Sequence, residues 1–377
     1  MKHHREDQNL ESGRADEDDN NHTDGSSQQH QTKEVDKSST EKPIFSVGVI
    51  ADIQYAPIPD GFSFTGTKRY YRHALEAARH AAKHYEEEKV DMLLNLGDTV
   101  DGKCQELDQH GGDPVSSDVD AGMMSLEHVL DALAEYKAGR IVHTYGNHCL
   151  YNLDREQLRE KLGLHFVQEP CGDFVGYSHF SHKGIRFVVI DTYDIAIMKR
   201  CDQTSKKHKK ACEILAANNP NFPENMNSPK GLEGLQRRFV GFNGGVGEVQ
   251  LQWIRQVLGE ARNAGEKVII LSHQPIHPDS SNPICLVWNY DELLDMFREY
   301  SDVVVASFSG HAHKGGYAFD KGIHFRVVEA ALENCPEKTY GILDIHSDRL
   351  ELRGFGNCES AVFECDLSST KAPASLQ

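Results

Sequence analysis

Short apolar, β-branched runs alternate with longer amphipathic stretches along most of the chain. The strand-like runs cover residues 44–51, 91–96, 140–143, 186–190, 267–271 and 302–307. Stretches with apolar residues at helical spacing cover residues 67–88, 120–137, 247–262 and 291–298. Further along, apolar and polar residues alternate as in antiparallel strands at 324–328, 341–346 and 349–352. This order predicts a layered α/β domain with mixed β-sheets.

Both ends of the chain and one internal stretch interrupt this alternation. Residues 1–42 almost lack apolar side chains, so they cannot bury enough surface to fold and are predicted to form a disordered acidic tail. We expect one folded domain at 43–366 and a short C-terminal tail at 367–377. Within the domain, residues 199–246 contain a Lys-rich run and then Asn-, Pro- and Gly-rich sequence, which predicts a long insertion or lid.

Residue types that bind metal ions follow the ends of the predicted strands. They occur in five segments: Asp-x-Gln at 52–54, Gly-Asp-x-x-Asp-Gly at 97–102, Gly-Asn-His at 146–148, Ser-His at 272–273 and Gly-His-x-His at 310–313. Each segment alone is weak evidence, since Gly and Asp are common in turns and a histidine pair can lie on the surface. Together they predict a shared site, because the ends of buried strands converge on one edge of a sheet.

Seven side chains in these segments are candidate metal ligands: Asp52, Gln54, Asp98, Asn147, His273, His311 and His313. They offer oxygen and nitrogen atoms without thiolate, which favours Mn²⁺ or Mg²⁺, with Fe or Zn as alternatives. Asp98 is the candidate bridge between two ions, because a carboxylate has two oxygens. One ion would be completed by Asp52, Gln54 and His313, and the other by Asn147, His273 and His311. Two such ions, about 3.5–4 Å apart, polarise a phosphoryl group and convert water into hydroxide at neutral pH.

The order of these segments resembles that of the calcineurin-like metallophosphoesterase superfamily, over residues 52–313. The superfamily usually has Asp-x-His first, where this chain has Gln54. The flanking segments Asp-Ile-Gln-Tyr-Ala, Pro-Asp-Gly-Phe-Ser-Phe, Arg-Tyr-Tyr-Arg-His, Phe-Asn-Gly-Gly and Cys-Leu-Val-Trp-Asn-Tyr are similar to those of the manganese-dependent ADP-ribose/CDP-alcohol diphosphatases. The likeness covers nearly everything after residue 43. After Gly-Asn-His that family usually has an acidic residue, and this chain has Cys149, which affects an outer hydrogen bond.

This resemblance implies a four-layer fold, in which two mixed β-sheets pack face to face between helices and a dinuclear site lies at the C-terminal ends of strands. It implies Mn-dependent hydrolysis of the phosphoanhydride of ADP-ribose and of CDP-choline, CDP-ethanolamine and CDP-glycerol, releasing AMP or CMP. The expected cofactor is two Mn²⁺, with Mg²⁺ as a weaker substitute. Gln54 is consistent with this, because a neutral amide oxygen suits Mn better than Zn.

Two further residues are candidates for the chemistry. His148 follows the ligand Asn147 and is predicted to stabilise or protonate the leaving oxygen. Asp101 is predicted to orient a metal-binding histidine.

The nucleoside must be held by other residues than the ligands. Phe64 is expected on the metal side of the sheet, where it could stack on a base, and the glycines after Asn243 permit close approach of a ligand. Residues 285–290 follow His273 and could form the opposite wall. The candidates for substrate binding are Phe64, Asn243, Gly244, Cys285, Asn289 and Tyr290.

Charge and composition limit the partners. A formal charge of −18 and a pI near 5.6 argue against a nucleic-acid partner, which needs a basic surface. We find no secretory signal and no apolar run near the roughly 18 residues of a membrane-spanning helix. The nine cysteines are irregularly spaced without a CxxC pair. We therefore expect a cytoplasmic monomer that acts on a small-molecule nucleoside diphosphate, with no membrane partner.

Two alternatives stay open at this point. Another metallophosphoesterase activity, such as that of a protein phosphatase or a cyclic-nucleotide phosphodiesterase, would use the same ligands. A non-catalytic scaffold of the same fold is the second alternative. Against it, every ligand position here carries a residue able to bind a metal ion.

Overall fold

Residues 42–63, 66–164, 167–169, 174–198 and 202–367 are described by the computed structural model of the protein. These residues belong to one compact unit. Phe64 lies outside the described residues, as do the acidic residues 1–41.

Strands and helices alternate through the first two thirds of the described chain. The strands are β1 (Phe45–Ile50), β2 (Gly61–Phe62), β3 (Lys68–Arg69), β4 (Met92–Asn95), β5 (Arg140–His143), β6 (Val167–Gln168), β7 (Phe174–Val175), β8 (Ser178–His182), β9 (Ile185–Val189), β10 (Lys267–Leu271), β11 (Val304–Ser309), β12 (Gly316–Asp320), β13 (Ile323–Val327), β14 (Tyr340–Ile345), β15 (Arg349–Phe355) and β16 (Ala361–Glu364). The α-helices are α1 (His73–Glu88), α2 (Ala121–Leu133), α3 (Asn147–Asn152), α4 (Arg155–Leu162), α5 (Lys206–Asn218), α6 (Glu248–Ala264) and α7 (Tyr290–Glu299). No helix in the described residues has the length and apolar character needed to cross a membrane.

Two six-stranded mixed sheets form the centre of the fold. The first has the order β16-β15-β14-β1-β4-β5, and the second has the order β12-β13-β11-β10-β9-β8. In the first sheet β1, β4 and β5 are parallel, and β14 joins antiparallel to β1. In the second sheet β9, β10, β11 and β13 are parallel. Residues 324–328 were expected to pair with antiparallel neighbours. This is correct for β12, the hairpin partner of β13, and wrong for β11, to which β13 runs parallel.

The sheets pack against each other through their inner faces. Val47 and Leu94 of the first sheet belong to the same buried cluster as Phe187, Ile269 and Phe308 of the second. Helices α1 and α2 cover the outer face of the first sheet, and α6 and α7 cover that of the second. The four-layer arrangement is confirmed, and burial of apolar side chains on both faces of each sheet stabilises it.

Helix α1 begins later than its apolar pattern predicts. The expected range was 67–88, but residues 68–69 pair with β2 in a short hairpin, and the helix starts at His73. Its buried face is built of small residues, including Ala74, Ala78 and Ala81, so the helix can approach the sheet closely. Lys89 ends it in a left-handed conformation, with φ of 53°.

Part of the predicted insertion is an ordered helix. Ser205 caps α5 by accepting a hydrogen bond from the backbone N–H of His208. Lys207 bridges two buried carboxylates, Asp194 and Glu169, and its Nζ lies 2.7 Å from Oε2 of the latter. The residues 206–218 are thus held to the body of the domain by a largely buried ion pair.

Candidate metal centre

The candidate ligands come from strand ends of both sheets and are all buried. Those that follow β1, β4 and β5 of the first sheet are Asp52, Gln54, Asp98 and Asn147. Those that follow β10 and β11 of the second sheet are His273, His311 and His313. The structure brings these seven side chains together at one edge of the two-sheet core.

Asp98 lies between side chains from the two sheets. Its Oδ2 is 3.2 Å from Nε2 of His273 and 3.2 Å from Nε2 of Gln54. Its Oδ1 accepts a hydrogen bond of 2.9 Å from the backbone N–H of His148. Ligand atoms of Asp98, His273 and His311 all lie within 4.8 Å of one another. This position suits a carboxylate that binds two cations.

The remaining ligand candidates also lie close to one another. Nε2 of His313 lies 2.8 Å from Nε2 of Gln54 and 3.6 Å from Oδ1 of Asp52. On the other side, the rings of His273 and His311 are 5.0 Å apart. Asn147 is buried nearby, and its Oδ1 accepts a hydrogen bond of 3.2 Å from the Tyr193 hydroxyl.

Five of the seven candidates have left-handed backbone conformations. The φ angles are 49° at Asp52, 42° at Gln54, 47° at Asp98, 67° at His311 and 61° at His313. Residues other than glycine seldom adopt this region, and each instance costs on the order of 1–3 kcal/mol. The sharp turn after each strand aims these side chains back into the centre.

The motifs need glycine because side-chain atoms of the candidate ligands lie too close to these positions to leave room for a Cβ atom. A Cβ atom at Gly146 would lie 2.1 Å from Oδ1 of Asp98, and one at Gly310 would lie 2.5 Å from Oδ2 of Asp52. At Gly97 a Cβ would lie 2.5 Å from Nδ1 of His273. Each glycine leaves the space that a ligand side chain occupies.

Each histidine candidate has one ring nitrogen bonded to an outer partner. Nδ1 of His273 is 2.8 Å from the carbonyl oxygen of Leu96, and Nδ1 of His313 is 2.7 Å from Oε1 of Glu333. Nε2 of His311 is 2.9 Å from Oδ1 of Asn243. Because an acceptor oxygen fixes the proton on that nitrogen, the other nitrogen is left to bind a cation.

The charges of the centre are strongly coupled. Burial would raise the pKa of Asp98, but His273 and His148 hold it well below its ordinary value. Burial opposes protonation of His273, yet Asp98 raises the pKa of that imidazole to about 9. The carboxylate is therefore ionised beside a protonated ring, and a cation would take the place of that proton.

One ring nitrogen of His148, Nδ1, contacts two neighbours. It lies 2.8 Å from the backbone N of Gly102 and 3.2 Å from Oδ2 of Asp101. Both contacts reach the same atom: Nδ1 accepts a hydrogen bond from the Gly102 N–H when it carries no proton, and it donates to Asp101 when it carries one. Burial disfavours the imidazolium, but Asp98 and Asp101 outweigh it and raise the pKa of His148.

The sequence led us to expect that Asp101 contacts a candidate ligand histidine. Among the described residues, its side chain contacts His148 instead. Glu333 is the carboxylate that orients a ligand candidate, His313. The sequence carried no motif for Glu333. It sits twenty residues after its partner, in a turn that follows β13.

The candidates for substrate binding fall at different distances from the centre. Asn243 is buried beside His311, with its Nδ2 donating to the carbonyls of Arg238 and Ile284. The backbone N–H of Gly244 donates to Oε1 of Gln274 at 3.2 Å. The Asn243 segment therefore lies beside the centre, and these hydrogen bonds hold it in place.

The other wall is formed by residues after β10. Burial, with a contribution from Asp52, raises the pKa of the Cys285 thiol to about 12, which keeps it neutral beside the centre. Asn289 uses its amide to bond both the N–H and the carbonyl of Val246, each at 2.9 Å. Its side chain therefore joins two segments of the chain. Tyr290 begins α7, and its ring lies 5.2 Å from the Arg238 guanidinium.

Comparison with known proteins identifies the family of this chain. Residues 45–315 match the calcineurin-like phosphoesterase family. The chain belongs to that family. Two relatives named manganese-dependent ADP-ribose/CDP-alcohol diphosphatase, from Arabidopsis thaliana and Homo sapiens, are 39% and 36% identical to it. The alignments cover 87% and 85% of this chain and 99% and 92% of those relatives.

A solved structure extends this likeness to the fold. A dimetal phosphatase from Danio rerio superposes with a TM-score of 0.77 at 32% identity, covering 86% of this chain and 99% of that one. This phosphoesterase is therefore a metal-dependent hydrolase, and the family prediction made from its motifs is confirmed.

The residues of the phosphoesterase centre fit bound cations. Oδ1 of Asp52 and Oε1 of Gln54 are buried, and neither has a hydrogen-bond partner among the described residues. Burying an acceptor without a hydrogen-bond partner costs free energy. These two oxygens are therefore expected to bind a group that is not part of the protein. Hard oxygen donors of this kind suit Mn²⁺.

Proposed function

We propose that this phosphoesterase hydrolyses the phosphoanhydride bond of ADP-ribose and CDP-alcohols with manganese, releasing AMP or CMP and a phosphorylated sugar or alcohol. The observation that carries the proposal is the similarity to diphosphatases of that name along 84–87% of the chain. The match to the calcineurin-like phosphoesterase family, over residues 45–315, includes every candidate ligand from Asp52 to His313.

The proposed metal ligands are Asp52, Gln54, Asp98, Asn147, His273, His311 and His313. Two cations held there would polarise the attacked phosphoryl group and supply an activated water. In the hydrolysis, the oxygen of water forms a new bond to one phosphorus. The bond from that phosphorus to the bridging oxygen breaks, and the departing phosphate takes the electron pair.

His148 is the proposed donor of a proton to the departing oxygen. Its backbone N–H is bonded to Asp98, and its ring is positioned by Gly102 and Asp101. The imidazole thus lies next to the proposed bridging carboxylate with a fixed orientation, as general acid catalysis requires. Asp101 acts through His148 as a positioning residue.

The nucleoside end is assigned to residues beside the ligands. We propose that the substrate is bound by Phe64, Asn243, Gly244, Cys285, Asn289 and Tyr290. This assignment is supported by the hydrogen bond between Asn243 and His311 and by the effect of Asp52 on the Cys285 thiol.

A substrate panel tests the proposed function. ADP-ribose, CDP-choline, CDP-ethanolamine and CDP-glycerol would be incubated with the full chain in Mn²⁺ or Mg²⁺, and products separated by chromatography. We expect AMP or CMP as the nucleotide product, with faster turnover in Mn²⁺. Turnover of phosphopeptides or cyclic nucleotides, with none of the diphosphates, would contradict the proposal and favour a different phosphoesterase activity.

We also propose that the enzyme is a cytoplasmic monomer without nucleic-acid or membrane partners. The formal charge of −18 and the seven unpaired cysteines among the described residues support a reducing compartment and a small-molecule substrate. The division into a tail at 1–42, a domain at 43–366 and a short tail at 367–377 is part of the same proposal.

A further inference from the structure

Asn147 and Gln54 are the two amides among the candidate ligands. An amide has one acceptor oxygen and one NH2 group, and only the oxygen can bind a cation. The orientation of the amide therefore decides whether it is a ligand at all. The Gln54 amide is held by another ligand candidate, because its Nε2 donates to Oδ2 of Asp98 at 3.2 Å. The Asn147 amide is held by residues outside the ligand set.

The Tyr193 hydroxyl donates to the oxygen of the Asn147 amide. It lies 3.2 Å from Oδ1 of Asn147, and the Tyr193 side chain is wholly buried. Burial raises the pKa of Tyr193 well above its ordinary value, and the charge of Asp98 adds to the rise. The hydroxyl therefore keeps its proton and remains a donor. Because the amide oxygen has two lone pairs, one is left for a cation.

Tyr151 holds the opposite end of the same amide. It lies four residues after Asn147 in α3, a spacing that brings two side chains together on one helix face. Burial raises the pKa of Tyr151, and a hydrogen bond from the Asn147 side chain opposes that rise. Only the NH2 group of the amide can donate, so its nitrogen faces Tyr151 and its oxygen faces Tyr193. Exchanging the two ends of the amide would reverse both hydrogen bonds.

The backbone of Tyr193 is fixed as well. Its N–H donates to Oδ1 of Asp191 at 2.9 Å, and its carbonyl accepts a hydrogen bond from Arg155. Arg155 also donates to Oδ2 of Asp191 at 2.8 Å, so these bonds tie the turn after β9 to helix α4. The Tyr193 ring lies 6.0 Å from the ring of His273. Tyr193 therefore reaches from an anchored turn to one half of the proposed centre.

We propose that Tyr193, together with Tyr151, fixes the Asn147 amide so that its oxygen faces one of the two cations. Tyr193 is thus a positioning residue for the cation that Asn147 would share with His273 and His311. This inference rests on the proposed function, because the ligand set belongs to it. The competing explanation is packing alone, since Tyr193 is part of a large buried apolar cluster and its ring fills space there.

The first test removes the Tyr193 hydroxyl and keeps the ring. Tyr193→Phe and the wild-type protein would be freed of metal with a chelator, and calorimetry would measure the affinities of the two Mn²⁺ sites. We expect one site to weaken about 10- to 100-fold and the other to keep its affinity. Tyr136→Phe is the matched control, because the buried Tyr136 hydroxyl donates to the carbonyl of Val90 at 2.7 Å. Val90 precedes β4, at the end opposite to Asp98, so both sites should keep their affinity in this variant.

A second test changes the amide that needs orienting. Asn147→Asp replaces it by a carboxylate, which offers an oxygen in either orientation. In that background the further change Tyr193→Phe should lower Mn²⁺ affinity less than about threefold, against about 10- to 100-fold beside the amide. The difference measures how far the hydroxyl acts through the orientation of the amide. Urea denaturation of the metal-free variants would check that each one is folded.

Four results would overturn the inference. One is equal Mn²⁺ affinity at both sites in Tyr193→Phe and Tyr136→Phe. Another is an equal loss at both sites together with lower stability of the metal-free protein, which would assign Tyr193 to packing. The third is the same loss with Asn147 and with Asn147→Asp, and the fourth is a wild-type protein that binds fewer than two Mn²⁺. These measurements use no substrate, so a protein that binds two Mn²⁺ but hydrolyses no diphosphate would contradict the proposed function alone.

Discussion

Asp98 makes polar contacts with His273 from one sheet and Gln54 from the other. Replacement of Asp98 by Ala removes the one ligand proposed to serve both cations. Turnover of ADP-ribose should fall at least tenfold, an effect of more than about 1.4 kcal/mol on the barrier. Steady-state kinetics would measure this, with circular dichroism as the check on folding. Asp60→Ala, at an exposed carboxylate, is the control. An Asp98→Ala enzyme with more than a tenth of wild-type turnover would show that Asp98 is not the bridge.

Gln54 is the residue where the chain departs from the usual superfamily pattern. Gln54→His replaces a neutral oxygen donor by imidazole, so the metal preference should broaden from Mn²⁺ towards Zn²⁺ and Co²⁺. Activity would be titrated with Mn²⁺, Mg²⁺, Co²⁺ and Zn²⁺ for both proteins. Identical metal profiles would mean that the donor at residue 54 does not set the preference.

Glu333 orients His313 through a hydrogen bond of 2.7 Å to Nδ1. Burial would raise the pKa of Glu333, but His313 holds it below its ordinary value, so the carboxylate is charged. Glu333→Gln keeps the shape and removes the charge, and Mn²⁺ affinity should fall about 10- to 100-fold. Calorimetric titration of the metal-free protein gives the affinity directly. Glu337→Gln, at an exposed carboxylate, should behave as wild type. Equal Mn²⁺ affinity in the two variants would rule out the orienting role.

The sequence could predict ligands but not their partners. Asp52, Asp98 and His311 were predictable because each follows an apolar run directly and stands in a short motif. Glu333 and the contact between Asp101 and His148 depend on turns that meet only in the folded chain.

At the scale of elements, the strands that could be predicted from the sequence are mostly those whose side chains are buried. The six strands up to β11 that were predicted lie within two residues of their apolar runs. Strands β8, β12 and β16 were missed because they lie at sheet edges, where exposed residues interrupt the apolar pattern. Helix α4 has a capping box from Asp154 and Gln157, a readable signal, but it is only eight residues long.

Helix α5 was missed because its Lys-rich start suggested a solvated loop. Lys207→Gln should lower the free energy of unfolding by about 3 kcal/mol or more, since Asp194 and Glu169 would stay buried without their cation. Urea denaturation would measure it. Lys210→Gln, in an ion pair whose side chains are 62% and 71% exposed, should change stability by less than about 0.5 kcal/mol. Equal stability of the two variants would show that the bridge is not needed to hold α5.

At the scale of the whole molecule, the layers were predictable and the strand order was not. Alternating strands and helices indicate an α/β fold whatever the order of strands. The pairing of β14 with β1 joins distant residues, as in Phe45 opposite Ile345, which are 300 positions apart. No local pattern specifies such a partner, so this part of the topology came only from the structure.

The division of the ligands between the sheets has a consequence for folding. Four ligand candidates belong to one sheet and three to the other, so a cation bound by both sets would act as a removable cross-link between the two halves of the core. Folding and metal loading are then one linked equilibrium, as for a domain closed by a structural zinc. Free Mn²⁺ at 100 times its Kd should add about 2.7 kcal/mol to the free energy of unfolding. Chelation should therefore lower Tm, and Asp98→Ala should remove most of that Mn²⁺-dependent difference. If Tm were independent of Mn²⁺ in the wild-type protein, the two sheets would be held together by their apolar faces alone.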